Sequence, residues 1–183
     1  MRTLIFTILA VFTSPVMVAP TSPIDELIFI EEEVKSEPIK DYYLFLNDLG
    51  HRESGNRYHV VNKYGYMGKY QFGKSTLKTL KIKVTKEAFL NSPDLQEYAM
   101  LKLLCYNKNK LQKYIDKYEG QVVNDILVTE SGLLAAAHLG GAGSVRKWFR
   151  TGKIRKDGNG VKITSYMKQF SGYDLDLNNK NII

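Results

Sequence analysis

The chain reads as mainly α. Tyr42, Phe45, Leu46 and Leu49 fall at i, i+3, i+4 and i+7, the spacing of one helix face. Ser92-Pro93-Asp94 sets a cap residue, a proline and an acid in the order that opens a helix. Strand-like runs do not alternate with helical ones, which disfavours a parallel α/β sheet.

Taken in order, the first periodic run predicts a helix over 39–52. Short extended pieces are expected at 58–61 and 70–72. Ser75 is placed to cap a short helix reaching residue 80, and Thr85 to cap another with Glu87 in its first turn. The helix opened by Ser92 is expected to run to about residue 107, with a separate one over 111–118 closed by Gly120. Residues 124–128 are apolar and fit either helix or strand. The run 131–139 is apolar all round, the pattern of a buried helix. Gly140-Gly141-Ala142-Gly143 breaks it, and a further helix follows over 144–149. Asp157-Gly158-Asn159-Gly160 reads as a surface turn, and 164–170 as a last helix.

The chain has 183 residues, enough for one domain with a real core, and 44% of them are hydrophobic. Residues 1–20 resemble an export signal, with Arg2, an apolar run over 4–12, and small residues at Ser14 and Ala19. The second reading of this run is an uncleaved N-terminal anchor. No later segment is long enough to span a membrane. Residues 21–37 are rich in Pro, Glu and Ser and read as a linker, leaving 38–178 as the folded domain. The expected location is therefore exported, in the periplasm or outside the cell.

Residues 37–183 carry 24 basic and 14 acidic side chains, a balance of +10. A basic exported domain suits an anionic partner such as cell-wall polymer, and a solvated lysine surface is the alternative. Nucleic acid is a poor fit for an exported chain. Cys105 is the only cysteine, so no internal disulfide forms, and its apolar helical setting predicts a buried structural thiol.

Glu53 is the candidate for chemistry. It lies eleven residues after Tyr42, which returns it to the same helix face if helical geometry persists past Gly50. A carboxyl at the end of an apolar stripe is partly desolvated, which favours its protonated form. A protonated Glu can donate to a glycosidic oxygen as the bond breaks. A surface Glu at a frayed helix end is the other reading.

Glu53-Ser54 resembles the Glu-Ser motif of lytic transglycosylases with a goose-type lysozyme-like fold. Gly65 matches a glycine before the family's Gly-Leu-Met-Gln motif, which aligns with Gly68-Lys69-Tyr70-Gln71, and Thr76 follows where a Thr is usual. The family's Ala-Tyr-Asn-Ala-Gly motif aligns with Ala137-His138-Leu139-Gly140-Gly141, flanked by Gly143, Val145 and Trp148. Tyr166 resembles a late family tyrosine. The match covers roughly residues 38 to 172.

This resemblance implies a lysozyme-like fold with a small extended region beside the cleft, and peptidoglycan glycan strands as substrate. It implies that Glu53 is sole acid, then base, producing 1,6-anhydro ends with no metal and no cofactor. Ser54, Tyr70, Gln71, His138 and Tyr166 would bind substrate. From the residues alone, Ser54 also fits a helix-end cap, Gln71 a strand-surface residue, and His138 a satisfied structural residue. The family's Leu-Met pair is Lys69-Tyr70 here, and its Tyr-Asn pair is His138-Leu139. Tyr70 can still stack on a sugar, and His138 can donate to substrate or to Glu53. Asp94, Asp125 and Glu130 are the other acids considered, without a place opposite Glu53. The alternatives are a hydrolytic muramidase or chitinase-like glycosidase, and a glycan-binding module without catalysis.

Other patterns fail on physical grounds. Residues 68–75 match a phosphate-loop pattern, yet Tyr70 and Phe72 would crowd a loop that wraps phosphates with bare amides. His51-Arg52-Glu53 begins a zinc deaminase signature that needs a later cysteine pair. Residues 157–160 lack the rest of a calcium loop.

Overall fold

A computed structural model describes residues 39–177 and residue 179. The chain divides into two units, Met1–Glu37 and Pro38–Ile183. The expected export signal and the linker lie outside the described residues.

Among the described residues the architecture is mainly helical, with one small hairpin. The order is α1 (Tyr42–Ser54), α2 (Lys74–Thr79), α3 (Lys86–Leu90), α4 (Pro93–Tyr118), β1 (Val122–Val123), β2 (Ile126–Leu127), α5 (Glu130–Gly140), α6 (Ala142–Thr151) and α7 (Ile163–Gln169). No described helix is long and apolar enough to cross a membrane.

Caps set most boundaries. The Asp41 side chain accepts from Leu44 N at 2.8 Å, so α1 starts three residues later than the periodicity suggests. Ser92 and Thr85 cap α4 and α3 as their sequence positions predict. The expected break near residue 107 is absent, and α4 runs unbroken for 26 residues. Its polar stretch 107–110 suggested an end, yet Asn107 is buried while Asn109 and Lys110 face solvent. The ambiguous segment 124–128 is the turn and second strand of the hairpin. Asn124 and Asp125 occupy the left-handed region at φ 47° and 61°, as a tight two-residue turn requires. The extended pieces expected at 58–61 and 70–72 are not strands. The strand-type pairing in that loop is limited to isolated bridges, Val61 with Met67 and Met67 with Phe72.

The core is built around α5, whose residues Ser131 to Ala137 are all buried. It packs against α7, α6 and α4. Phe45 of α1 meets Phe170 and Tyr173 edge-on at 5.7 and 5.6 Å, which joins α1 to the end of α7. Phe149 of α6 stacks on Tyr114 and Tyr118 of α4 at 4.9 Å each, fixing the far end of the long helix. Cys105 is half-buried at the edge of the core rather than fully enclosed, and burial raises its thiol pKa.

Candidate active site

A cleft of about 1100 Å³ opens between the 62–76 segment, α4, the α5–α6 junction, the 157–161 turn and α7. Glu53 stands in its wall. Helical geometry continues through Gly50 to Ser54, so Glu53 follows Leu49 on the buried stripe of α1. Its side chain keeps 14% of its surface exposed, enough to reach the cleft.

Two side chains converge on one oxygen of this carboxylate. The Tyr166 hydroxyl donates to Glu53 Oε1 at 2.5 Å. His138 Nε2 lies 3.7 Å from the same atom, beyond hydrogen-bond range. Among the described residues Oε2 has no hydrogen-bond partner, which leaves it as the atom open to a ligand. Burial first, and then the Glu53 carboxylate, push the Tyr166 phenol well above its ordinary pKa, so it stays a donor. The Arg52 guanidinium lies over the Tyr166 ring at 4.1 Å and hydrogen-bonds the Gln169 side chain, which pins α1 to α7 beside the acid.

His138 is held from behind. Phe72 meets its ring edge-on at 6.2 Å, and its Nδ1 is buried without a partner. Hydrogen on Nε2 leaves only a lone pair unpaired at Nδ1, whereas hydrogen on Nδ1 would strand a buried donor. The favoured tautomer therefore directs Nε2–H toward Glu53.

The remaining expected site residues separate. Gln71 lines the cleft, with φ at 52° and its side-chain amide donating to Gly68 O at 2.9 Å. Ser54 takes the cap reading: its hydroxyl accepts from Arg57 N at 3.0 Å and donates to Lys69 O at 2.9 Å, and it is buried. Tyr70 is a correction. Instead of facing a sugar it is fully buried, and its hydroxyl donates to Glu97 Oε2 at 2.6 Å. The turn at Gly68 (φ 76°) rotates the following residues inward, and a Cβ on Gly68 would run into the Gln96 side chain.

Glu97 was not singled out by sequence reasoning. Its carboxylate gathers Tyr58 at 2.6 Å, Lys69 at 2.9 Å and Tyr70 at 2.6 Å, clamping the 58–70 loop to α4. Gln96 beside it accepts from Lys69 N and donates to Tyr58 O and Phe89 O. The only sequence signal for this clamp is the place of both residues in the first turn after Pro93, which is weak. Asn107 and Arg146 of the cleft were also missed.

Asp94, Asp125 and Glu130 stay out of the cleft, and Glu130 pairs with Lys108 at 3.1 Å. The second acid in the cleft wall is Asp157, whose Oδ1 accepts from Asn159 N and Val161 N within its turn. The phosphate-loop pattern over 68–75 forms no cradle, because Tyr70 and Phe72 are core residues. Among the described residues no three His, Cys, Asp or Glu side chains group as metal ligands.

No protein-family model, curated protein or solved structure matches the chain.

Proposed function

We propose that this chain is a glycan-cleaving enzyme of lysozyme-like fold, a lytic transglycosylase acting on exported cell-wall peptidoglycan. The observation that carries the reading is the carboxyl of Glu53 in a long cleft, with Tyr166 bound to one of its oxygens and the other open. With Oε1 occupied by a donor, the transferable proton belongs on Oε2.

In this reading Oε2 protonates the oxygen linking N-acetylmuramic acid to N-acetylglucosamine. The bond to the anomeric carbon breaks and the leaving sugar departs as an alcohol. The positive charge developing on the ring is stabilised by the Glu53 carboxylate that remains. The carboxylate then takes the proton of the C6 hydroxyl, whose oxygen closes on the anomeric carbon as a 1,6-anhydro ring. Glu53 ends protonated, and no water or metal is consumed. Tyr166 holds the carboxylate between the two proton transfers, with His138 Nε2 standing 3.7 Å from the same oxygen.

Digesting purified peptidoglycan and weighing the soluble products tests this. Anhydro-ended fragments are expected. Reducing ends would make the enzyme a hydrolase, and bound glycan with no release would make the domain a binding module. Glu53→Gln is expected to lose activity by about 10²- to 10⁴-fold. A variant that cleaves as fast as the parent removes Glu53 from the role.

A further inference from the structure

α2 is a wall with two differently furnished sides. Ser75, Thr76 and Thr79 line the cleft that holds Glu53. Lys74, Leu77 and Lys78, with Lys81 just past the helix end, line a second groove of about 680 Å³. These four stand at i, i+3, i+4 and i+7, so they share one side of the helix.

The floor of this groove is apolar. Met67 and Leu77 are buried in it, and Ile82 and Val84 are partly buried. Its rim is cationic. Lys74, Lys78, Lys81, Lys83 and Lys86 are all exposed, and none forms an ion pair among the described residues. No acid lines the groove, and Glu87, exposed on α3, lies outside it. Arg57, Lys63 and Lys69 join these five, so residues 54–86 carry eight Lys and Arg and no Asp or Glu. Of the eight only Lys69 has an acid partner among the described residues.

The turn after α2 sorts the two kinds of side chain. Lys81 has φ at 59°, in the left-handed region that favours glycine at a helix end. Its N–H donates to Lys78 O at 3.0 Å, and Ile82 N–H donates to Leu77 O at 2.9 Å. Beyond this turn Lys81 and Lys83 are exposed while Ile82 and Val84 pack against the core.

We propose that this groove docks the protein on the surface of an anionic phospholipid bilayer. The lysines hold lipid phosphates with their stems along apolar surface, and the floor takes the upper part of an acyl chain. A soluble phosphate polymer would use the rim and leave the floor wet. Nucleic acid stacks on aromatic rings, and none lines the groove. The groove's one hydroxyl, on Thr85, is engaged by Ala88 N, which leaves little to orient a peptide. No described helix can cross a membrane, so the contact is peripheral and weakens with salt. It is independent of the glycan-cleaving reading. Because α2 is shared, docking sets the cleft alongside the bilayer.

The full-length protein is sedimented with vesicles of phosphatidylcholine alone, and with phosphatidylcholine and phosphatidylglycerol in equal parts. Tighter binding to the anionic vesicles is expected, and equal binding to both overturns the proposal. Each lysine near such a surface contributes about fivefold, so Lys78→Gln/Lys81→Gln/Lys83→Gln should bind them about 10²-fold more weakly. This variant leaves residues 1–20 unchanged and so isolates the groove. Parent and variant binding alike assign the contact elsewhere. Ile82→Gln/Val84→Gln keeps every charge and should bind about tenfold more weakly, compared where both proteins are folded. Unchanged binding means that charge alone acts, which overturns the groove. Soluble poly(glycerol phosphate) at equal phosphate should displace little protein from the vesicles. Complete displacement would make the occupant a soluble polyanion and overturn the lipid.

Discussion

Tyr166 Oη and Glu53 Oε1 meet at 2.5 Å across 113 residues of chain, joining the last turn of α1 to the middle of α7. The contact fixes which oxygen of the carboxyl is free. It also ties the site to the packing of the core, because Tyr166 is only 4% exposed and its ring neighbours Phe170 at 5.6 Å.

Tyr166→Phe removes the donor and keeps the ring. Hydrogen bonds to charged groups contribute about 1.5–3 kcal/mol, so the cleavage rate on peptidoglycan strands should fall by roughly 10- to 100-fold. The same loss should lower the urea midpoint, so the rate is compared where both proteins are fully folded. An unchanged rate would show that the contact plays no part in turnover.

Gly132→Ala probes the same joint from the other side of the core. A Cβ at Gly132 would stand 2.7 Å from the backbone oxygen of Met167, the residue after Tyr166. Overpacking of this kind costs about 1–3 kcal/mol, set against roughly 1 kcal/mol that Ala contributes to helix formation. The clash is with backbone, so it prevails, and α7 moves off α5. Both the unfolding midpoint and the cleavage rate should drop. A gain in stability would mean that the two helices have slack.

Glu97→Gln leaves the Lys69 ammonium, whose side chain is 11% exposed, without its counter-charge. Glu97 is itself 32% exposed, which moderates the loss to about 1–2 kcal/mol in urea unfolding. Pairing it with Lys69→Met should recover part of the loss. No recovery would mean that the hydrogen bonds to Tyr58 and Tyr70, rather than the ion pair, set the cost.

Alkaline stability follows from one buried phenol, Tyr42, and two partly buried ones, Tyr58 and Tyr173. Desolvation above all raises Tyr42, Tyr58 and Tyr173 from 10.0 to about 12, with the Glu97 or Asp48 carboxylate adding to it. The folded chain keeps protons that the unfolded chain releases once pH passes 10. Their stabilisation is thus complete below about pH 10 and declines as pH rises toward 12. The urea midpoint should fall across that window, and a flat profile would contradict the raised titration of these groups.

Periodicity carried much of this architecture, because a stripe such as Tyr42, Phe45, Leu46 and Leu49 is local information. It also placed Glu53 on the inner face, since the phase of a helix extends past its last apolar residue. Tyr70 was misread for the opposite reason. Its orientation depends on the positive φ of Gly68 and on Glu97, which lies 27 residues away, and neither leaves a periodic trace. The length of α4 was misjudged at Asn107, where a polar residue faces inward and breaks the usual pattern. That same residue lines the cleft. Tyr166 enters the sequence reading only through the family resemblance, as a substrate-binding residue, and its bond to Glu53 has no sequence trace, because nothing in 163–169 sets it apart as a partner for a carboxyl.

Gly141 closes α5 and opens α6, with φ at 77° and ψ at 151°. One residue, rather than a loop, therefore fixes the spacing between His138 and Arg146. A loop there would let insertions tune the reach of the cleft. A single shared residue makes the separation a constant of the scaffold, like the jaw gap of a fixed wrench. Altering the width of the cleft would have to come from exchanging side chains along α4, and adding one residue after Gly141 should separate Arg146 from His138 while each helix keeps its own geometry.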